Sequence, residues 1–299
     1  MTLLDGFLDP GSMPFRAMLA GLPVAVMCGV LSPLVVVKRL GFVGQGVSHS
    51  AFGGVGVAAL LAVILPAGLV QSDVVQFAVV ALFCAATALG MSAVSNRRTL
   101  PTDTAIGMFL VGSMALGAVL VHVARSIGRG SGVQSWESIL FGSVFLATRL
   151  ETLIGWAAAA VVLGLAWWFR RPLLFWVFDE DTAPAFGVRA GPMKTMLMLL
   201  LAASVVVAMK IAGVVLATAL LVLPGAIALR LSRRLAKVIA ISVVSGFAAL
   251  FTGVAWSLHR DWPAGPCIVL ALTLMFAFAV LADAARRRLG ARRSAGIPA

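Results

Sequence analysis

The chain has 299 residues, of which 61% are hydrophobic and only 11% are charged, and its mean hydropathy is +1.07. A soluble domain carries about a quarter charged residues, so this composition excludes a water-soluble globule and indicates a polytopic membrane protein. The net charge of +12 is better explained by basic loops on one side of a membrane than by a nucleic-acid surface. The bilayer is therefore an expected partner, and nucleic acid is not.

Membrane-spanning helices need about 20 mainly apolar residues each. Nine segments qualify in chain order, which predicts an all-α protein: 13–37, 48–70, 74–95, 104–124, 151–169, 193–209, 211–230, 235–257 and 264–284. Only Lys210 separates the sixth from the seventh, so 193–230 could divide differently and leave eight spans. The stretch 137–150 is too short to span and predicts an interfacial or re-entrant helix. The N-terminus lacks a basic region followed by an apolar core, so the first span is expected to act as an uncleaved insertion signal.

The basic residues are distributed unevenly between the two sets of loops. If the C-terminus is cytoplasmic, 17 of the 23 Lys and Arg residues fall in cytoplasmic loops and 6 in outer loops. Lys and Arg collect on the cytoplasmic side of membrane proteins. This bias predicts an external N-terminus and a cytoplasmic C-terminus, with the basic tail available to anionic lipid.

The longest cytoplasmic loop, 170–194, contains a pattern typical of a short helix. Three acidic residues precede a few helix-compatible positions, and a glycine follows them. Acids favour a helix N-terminus and glycine favours its end. Such a segment is either a surface feature without a partner or a docking element for a soluble partner, and a phenylalanine near each end favours docking. The residues concerned are Phe178, Asp179, Glu180, Asp181, Ala183, Phe186 and Gly187.

Ionisable side chains are rare within the spans, and His49 near the start of the second is the most informative. A titratable group at membrane depth is costly and usually faces a pathway or a partner. Gln45 precedes it by four residues, so the two share a face if the helix begins by Gln45. Ser48 and Ser50 are weaker candidates. An imidazole with amide or hydroxyl oxygens suits a transient stop for a divalent cation, whereas a structural hydrogen bond is the alternative for His49.

Enzyme motifs are absent from the sequence. There is no GxxxxGK[ST], HExxH or GxSxG pattern, so neither nucleotide hydrolysis by a P-loop nor these hydrolase chemistries are expected. "GQGVSHSA" places Ser and His together without a buried acid, which disfavours an intramembrane serine hydrolase. Cys28, Cys84 and Cys267 lie far apart and are interpreted as small hydrophobic residues.

Five stretches together resemble the membrane-spanning subunits of bacterial metal-ion ABC importers, the group that carries zinc, manganese or iron. The likeness runs in order from about residue 13 to 284. The resembling stretches are "VKRLGFVGQGVSHSAFGGVGVA" (37–58), "TDTAIGMFLVGSMALGAVL" (102–120), "ILFGSV" (139–144), "FDEDTAPAFGV" (178–188) and "IAGVVLATALLVLPGAIALRL" (211–231).

The resemblance implies a type II-like permease in the bacterial inner membrane. It would form a homodimer with a translocation path between the copies, and two copies of a separate ATPase would dock on 178–188. An extracytoplasmic metal-binding protein would deliver the ion, which is substrate and not a resident cofactor. Residues implied to shape the path are Gly53, Gly54, Asp103, Gly107, Gly213 and Pro224.

One position departs from the family pattern. Relatives commonly carry an aspartate where this chain has Gln45, which leaves the Gln45–His49 pair neutral when the imidazole is unprotonated. A neutral pair attracts a hard ion such as Mn²⁺ less well, so zinc is slightly favoured. A stand-alone secondary transporter or channel remains the alternative function. It is disfavoured because no Asp, Glu, Lys or Arg lies at the centre of a predicted span.

Overall fold

A computed structural model describes residues 7, 9, 11–65, 72–96, 100–127 and 144–294, and every regular element among them is helical. Nine of the described helices are long and apolar enough to cross a membrane. The protein is therefore an all-α multi-pass membrane protein. The α-helices are α1 (Met13–Val37), α2 (Gly41–Ile64), α3 (Asp73–Asn96), α4 (Thr102–Ser126), α5 (Arg149–Trp168), α6 (Arg170–Phe178), α7 (Ala190–Ala212), α8 (Val214–Leu231), α9 (Leu235–Arg260) and α10 (Ala264–Ser294).

Among the helix boundaries that differ from the prediction, two have a clear cause in the backbone. The second span begins at Gly41 and not at residue 48, because Arg39 adopts a left-handed conformation (φ 55°) that lets α2 start immediately after α1. The break between the sixth and seventh spans is at Gly213 and not at Lys210. Gly213 has φ 86° and ψ 163°, a conformation that glycine adopts without steric cost.

Two shorter segments were predicted only in part. The loop 170–194 contains an additional helix, α6, whose buried residues Leu173, Trp176 and Val177 recur at helical spacing. Of the predicted interfacial helix 137–150, residues 137–143 lie outside the described ranges. In its described part, Val144–Leu146 form a 3-10 turn that packs against α1, and residues 149–150 already belong to α5.

The core lies around α1 and α7, the two most buried spans. Helix α1 packs against α8 and α9, and α7 packs against α3 and α5. Helix α8 contains Pro224, and next to it the backbone N–H of Gly225 donates to the Ser32 hydroxyl of α1 at 2.7 Å. This bond gives a partner to a backbone group next to the proline, as membrane helices require.

Helices α2 and α4 form the most extensive contact in the bundle. Their backbones touch where a Cβ added to Gly117 would lie 2.4 Å from the carbonyl oxygen of Phe52, and one added to Gly56 would lie 2.8 Å from the Cα of Gly117. Small residues permit this close approach in membrane helices. The crossing fixes α4 beside the helix that carries Gln45 and His49.

The Gly117→Ala variant is expected to lower the free energy of unfolding by about 1–3 kcal/mol, since the added methyl group meets backbone atoms that cannot rotate away. Gly112→Ala on the same helix is the matched control, because nothing lies within 4 Å of its Cβ position. Thermal denaturation of the detergent-solubilised protein measures both. Equal shifts in melting temperature for the two variants would contradict the close crossing.

Three ion pairs join helix ends that lie on the same side of the membrane if successive spans alternate in direction. Lys38 pairs with Glu180 and Arg230 pairs with Asp283 at one end, whereas Lys210 pairs with Glu151 at the other. Each pair joins groups that the predicted alternation places on the same side. The end that carries Lys38 and Glu180 is called the coupling end below.

Candidate functional site

Phe42, Gln45 and His49 form a stripe along one face of α2. Spacings of three and four residues bring side chains onto the same side of a helix, and the early start of α2 includes all three. Phe42 is 63% exposed, Gln45 is exposed and His49 is half-buried. His49 is eight residues into the helix, about 12 Å from its first residue along the axis.

The imidazole of His49 has one unsatisfied nitrogen. Its Nδ1 is buried and finds no hydrogen-bond partner among the described residues. The ring lies beside Phe52, with centroids 5.9 Å apart and an interplanar angle of 29°. Buried polar atoms are normally paired, so a nitrogen of this kind at membrane depth is suited to a ligand that is bound only at times.

Ser48 and Ser50 lie on other faces of α2 and are fully buried. The Ser48 hydroxyl donates to the Gln45 carbonyl at 3.0 Å, and the Ser50 hydroxyl donates to the Val47 carbonyl at 2.7 Å. Both hydroxyls therefore bond to their own helix. The structure brings Gln45 and His49 together on one face and does not bring the two serines to it.

Gly53 and Gly54 lie where α2 packs against its neighbours. A Cβ on Gly53 would lie 2.6 Å from the Phe83 ring, and one on Gly54 would lie 2.9 Å from the Cα of Val80. Both contacts hold α3 close to α2. On α4, Asp103 is exposed in the first turn, and nothing lies within 4 Å of the Cβ position of Gly107.

The segment 178–188 forms one 3-10 turn, Ala183–Phe186, after the acidic residues. Asp179 accepts the backbone N–H of Thr182 at 3.1 Å, and hydrogen bonds from the Thr182 hydroxyl and then its N–H hold the pKa of Asp179 below its usual value. Gly187 ends the turn in the left-handed conformation with φ 78°. The sequence pattern of acidic start, short helix and glycine stop is present, as a single tight turn.

Two phenylalanines and a buried alanine orient this segment. Phe178 is 59% exposed and Phe186 is 74% exposed, whereas Ala183 is fully buried. The Phe186 ring meets the Phe175 ring edge-on at 5.3 Å between centroids. The turn is thus anchored on one side and presents aromatic surface on the other.

Lys38, the residue that follows α1, ties this segment to the bundle. Its ammonium pairs with the Glu180 carboxylate at 2.5 Å and lies 4.3 Å from the centroid of the Trp176 ring. Lys38 is only 14% exposed, and Trp176 is buried. Because α2 begins three residues after Lys38, the contact links the exposed turn to the helix that carries His49.

A family model described as the ABC 3 transport family matches residues 12–283. The chain belongs to the ABC 3 transport family. The match runs from the first span into the ninth and includes the segment between α5 and α7, so it includes every site residue named above. The resemblance inferred from the five sequence stretches is confirmed.

Named relatives of this ABC 3 family chain cover nearly its whole length. It is 31% identical to the manganese transport system membrane protein MntC of Halalkalibacterium halodurans, over 88% of this chain and 85% of that protein. It is 29% identical to the chelated iron transport system membrane protein YfeD of Yersinia pestis, over 91% and 87% of the respective chains. The solved structure of PsaBC from Streptococcus pneumoniae in complex with Fab superposes with a TM-score of 0.75 at 25% identity, covering 93% of this chain and 94% of that one.

The remaining candidate ligands of this ABC 3 family chain are scattered. Within the described part of the chain, no group of three or more His, Cys, Asp or Glu residues lies close enough to hold a metal ion. Cys28, Cys84 and Cys267 are free and buried, and His122 and His259 are exposed near helix ends. Sequence reasoning missed Lys38, Trp176 and Ser32, whose partners are distant in the chain. The buried spacing of Leu173, Trp176 and Val177 was the one available signal for α6.

Proposed function

We propose that this chain is the membrane-spanning subunit of an ATP-driven importer for a divalent transition-metal ion. Membership of the ABC 3 transport family supports a transport role, and the relatives described above are named for manganese and chelated iron transport. The ion is the cargo and crosses the membrane through the permease. ATP is hydrolysed by a separate chain, in keeping with the absence of a P-loop sequence.

The main support for the proposed path is the unpaired Nδ1 of His49. The nitrogen is buried inside a span, and its residue, which is half-buried, shares one face of α2 with the exposed Gln45. A binding site that is too strong would hold the ion, whereas one or two ligands from each copy allow release. Imidazole suits Fe²⁺ and Zn²⁺, whereas Mn²⁺ prefers oxygen ligands.

The path lies between two copies of the chain. A homodimer with a two-fold axis beside the exposed face of α2 supplies two His49 and two Gln45 side chains to one ion. The close crossing at Gly56 and Gly117 supports this arrangement, because it holds α2 and α4 as a rigid wall. Alternating access then needs movement of one wall against the other.

The turn 178–188 is the docking site for the ATPase, at the cytoplasmic end of the bundle. The exposed Phe178 and Phe186 rings and the acidic residues are the contact surface. The count of Lys and Arg residues supports a cytoplasmic C-terminus and an external N-terminus. An extracytoplasmic metal-binding protein delivers the ion at the opposite end, which carries the Glu151–Lys210 pair.

Gln45 tunes the choice of metal. Gln45→Asp adds a carboxylate one helical turn from His49, and an oxygen anion favours the hard ion Mn²⁺ over Zn²⁺. The ratio of Mn²⁺ to Zn²⁺ uptake is expected to rise about threefold to tenfold, as measured with both ions in competition. Gln76→Asp, an exposed position on α3, adds the same charge elsewhere and should leave the ratio unchanged. An unchanged ratio in Gln45→Asp would remove Gln45 from the path.

Cellular metal content tests the proposed function. Deletion of the gene in the source organism, grown in metal-limited medium, should lower the content of one of Mn, Fe or Zn, and the intact gene should restore it. Inductively coupled plasma mass spectrometry measures all three together. Normal content of all three metals in a strain that lacks other importers for them would overturn the proposal.

A further inference from the structure

An apolar groove with a volume of about 630 Å³ runs between α3, α5 and α7, on helices other than those of the Gln45–His49 stripe. Its lining residues Val161, Leu165 and Ala203 are exposed on membrane-spanning helices, so the groove is open to bilayer lipid. Its lining is mostly aliphatic and ends in polar groups near the coupling end. The residues that line it are Asn96, Val161, Val162, Leu165, Gly191, Pro192, Thr195, Met196, Leu199, Leu200 and Ala203.

The groove has the length and polarity profile of one lipid chain. From Gly191 to Ala203 it extends about 18 Å along α7, close to the depth of one leaflet of hydrocarbon, about 15 Å. Asn96 and Thr195 stand at its polar end, where the Asn96 amide donates to Ser92 at 3.3 Å and the Ser92 and Thr195 hydroxyls lie 2.6 Å apart. Ester oxygens of a glycerolipid suit such a polar end.

Aromatic residues place this end at the lipid headgroup level. Trp167 and Trp168 end α5 and are 68% and 80% exposed, as tryptophans at a membrane interface typically are. The Arg170 guanidinium stacks on the Trp167 ring at 4.1 Å from its centroid. The groove mouth therefore lies where lipid phosphates lie.

The mouth of the groove is positively charged. Arg189 is exposed and is the N-cap residue of α7, two residues before Gly191, and Arg170 and Arg171 begin α6 just after α5. None of these three arginines forms an ion pair with a carboxylate within the described residues. No Asp or Glu is among the lining residues. Arginine is well suited to phosphate.

We propose that the groove binds an anionic glycerophospholipid of the bilayer. One acyl chain lies along Val161, Leu199 and Ala203, and the phosphate lies at the mouth near Arg189. Such a lipid fills the space between α5 and α7 beside the segment that leads to the coupling turn.

The test compares lipid bound to the purified full-length protein with lipid in the membranes it came from. Phosphatidylglycerol and cardiolipin should be at least threefold enriched over phosphatidylethanolamine, measured by mass spectrometry of lipid extracts and by native mass spectrometry. Ala203→Trp fills the groove from an exposed position and should reduce bound lipid at least threefold. Ala277→Trp, an exposed alanine on α10, is the matched control and should retain it.

The headgroup and the rival occupant are tested separately. Arg189→Gln should lower the anionic fraction of the bound lipid to about that of the membrane, without reducing the total lipid bound. Arg260→Gln, at the opposite end, should leave that anionic fraction unchanged. Bulk-like composition in the wild type, or full retention in Ala203→Trp, would overturn the proposal. Efficient disulfide cross-linking between two copies of the Val161→Cys variant would also overturn the proposal, because a second copy would then cover the groove.

Discussion

Replacing His49 with alanine is expected to reduce ATP-driven metal uptake at least tenfold and to leave assembly with the ATPase intact. The substitution removes the one nitrogen in the described part of the spans that is buried, unpaired and on the same face as Gln45. Without it, an ion that loses its hydration shell meets only amide oxygen and hydrocarbon, and desolvation is then poorly compensated. Uptake is measured with radioactive metal in proteoliposomes that contain the complete complex.

Matched variants separate a ligand role from a structural one. His122→Ala removes an exposed histidine near the end of α4 and is expected to leave uptake unchanged. If His49 were only structural, His49→Ala would lower thermal stability while the remaining folded protein transported normally. Uptake by His49→Ala at the wild-type rate per assembled complex would contradict the ligand role.

The second large effect is expected at the turn 178–188, where Gly187→Pro should uncouple ATP hydrolysis from transport. Gly187 has φ 78°, whereas proline is held near −65°, so the turn after Phe186 cannot form. Transport should fall at least tenfold, with ATPase stimulation lost. Gly187→Ala is the milder variant, because a left-handed conformation costs an alanine about 1–2 kcal/mol. Its loss of transport should lie between that of the wild type and that of Gly187→Pro.

Charge exchange tests the link from this turn to α2. Either single variant, Lys38→Glu or Glu180→Lys, replaces the ion pair with two like charges. Each variant should therefore lower the ratio of metal transported to ATP hydrolysed. The double exchange restores an opposite-charge pair and should recover at least part of that ratio. Asp261→Lys, at the far end of α9, controls for net charge. Absence of any recovery would remove the ion pair from the coupling route.

Much of the fold was predictable because each span needs a long apolar run, and nine such runs are separated by polar residues. Helix boundaries were harder to predict where glycine occurs near a helix end. Residues 41–46 are rich in glycine and resemble a loop, yet burial of Val43 and Val47 extends α2 through them. The sequence predicted the break between the sixth and seventh spans at Lys210, and the positive φ of Gly213 places it three residues later.

The candidate site was predictable only where its parts are neighbours in sequence. Gln45 and His49 are one turn apart, so helical spacing brings them together. Lys38 and Glu180 are 142 residues apart, and no local pattern indicates that they meet. Likewise, Ser48 and Ser50 are adjacent to His49 in sequence, but helical geometry directs their hydroxyls to their own backbone.

Concentrative metal uptake in proteoliposomes is the most direct measurement of ATP-driven import through this permease. The vesicles would contain this chain with its ATPase, with ATP on the side of the turn 178–188 and a metal-loaded binding protein on the other, and Mn²⁺, Fe²⁺ and Zn²⁺ would be compared. ATP-driven import predicts accumulation of at least one ion against its gradient, only when ATP and the ATPase are both present. Concentrative uptake by the chain alone, driven by a proton or sodium gradient, would contradict it.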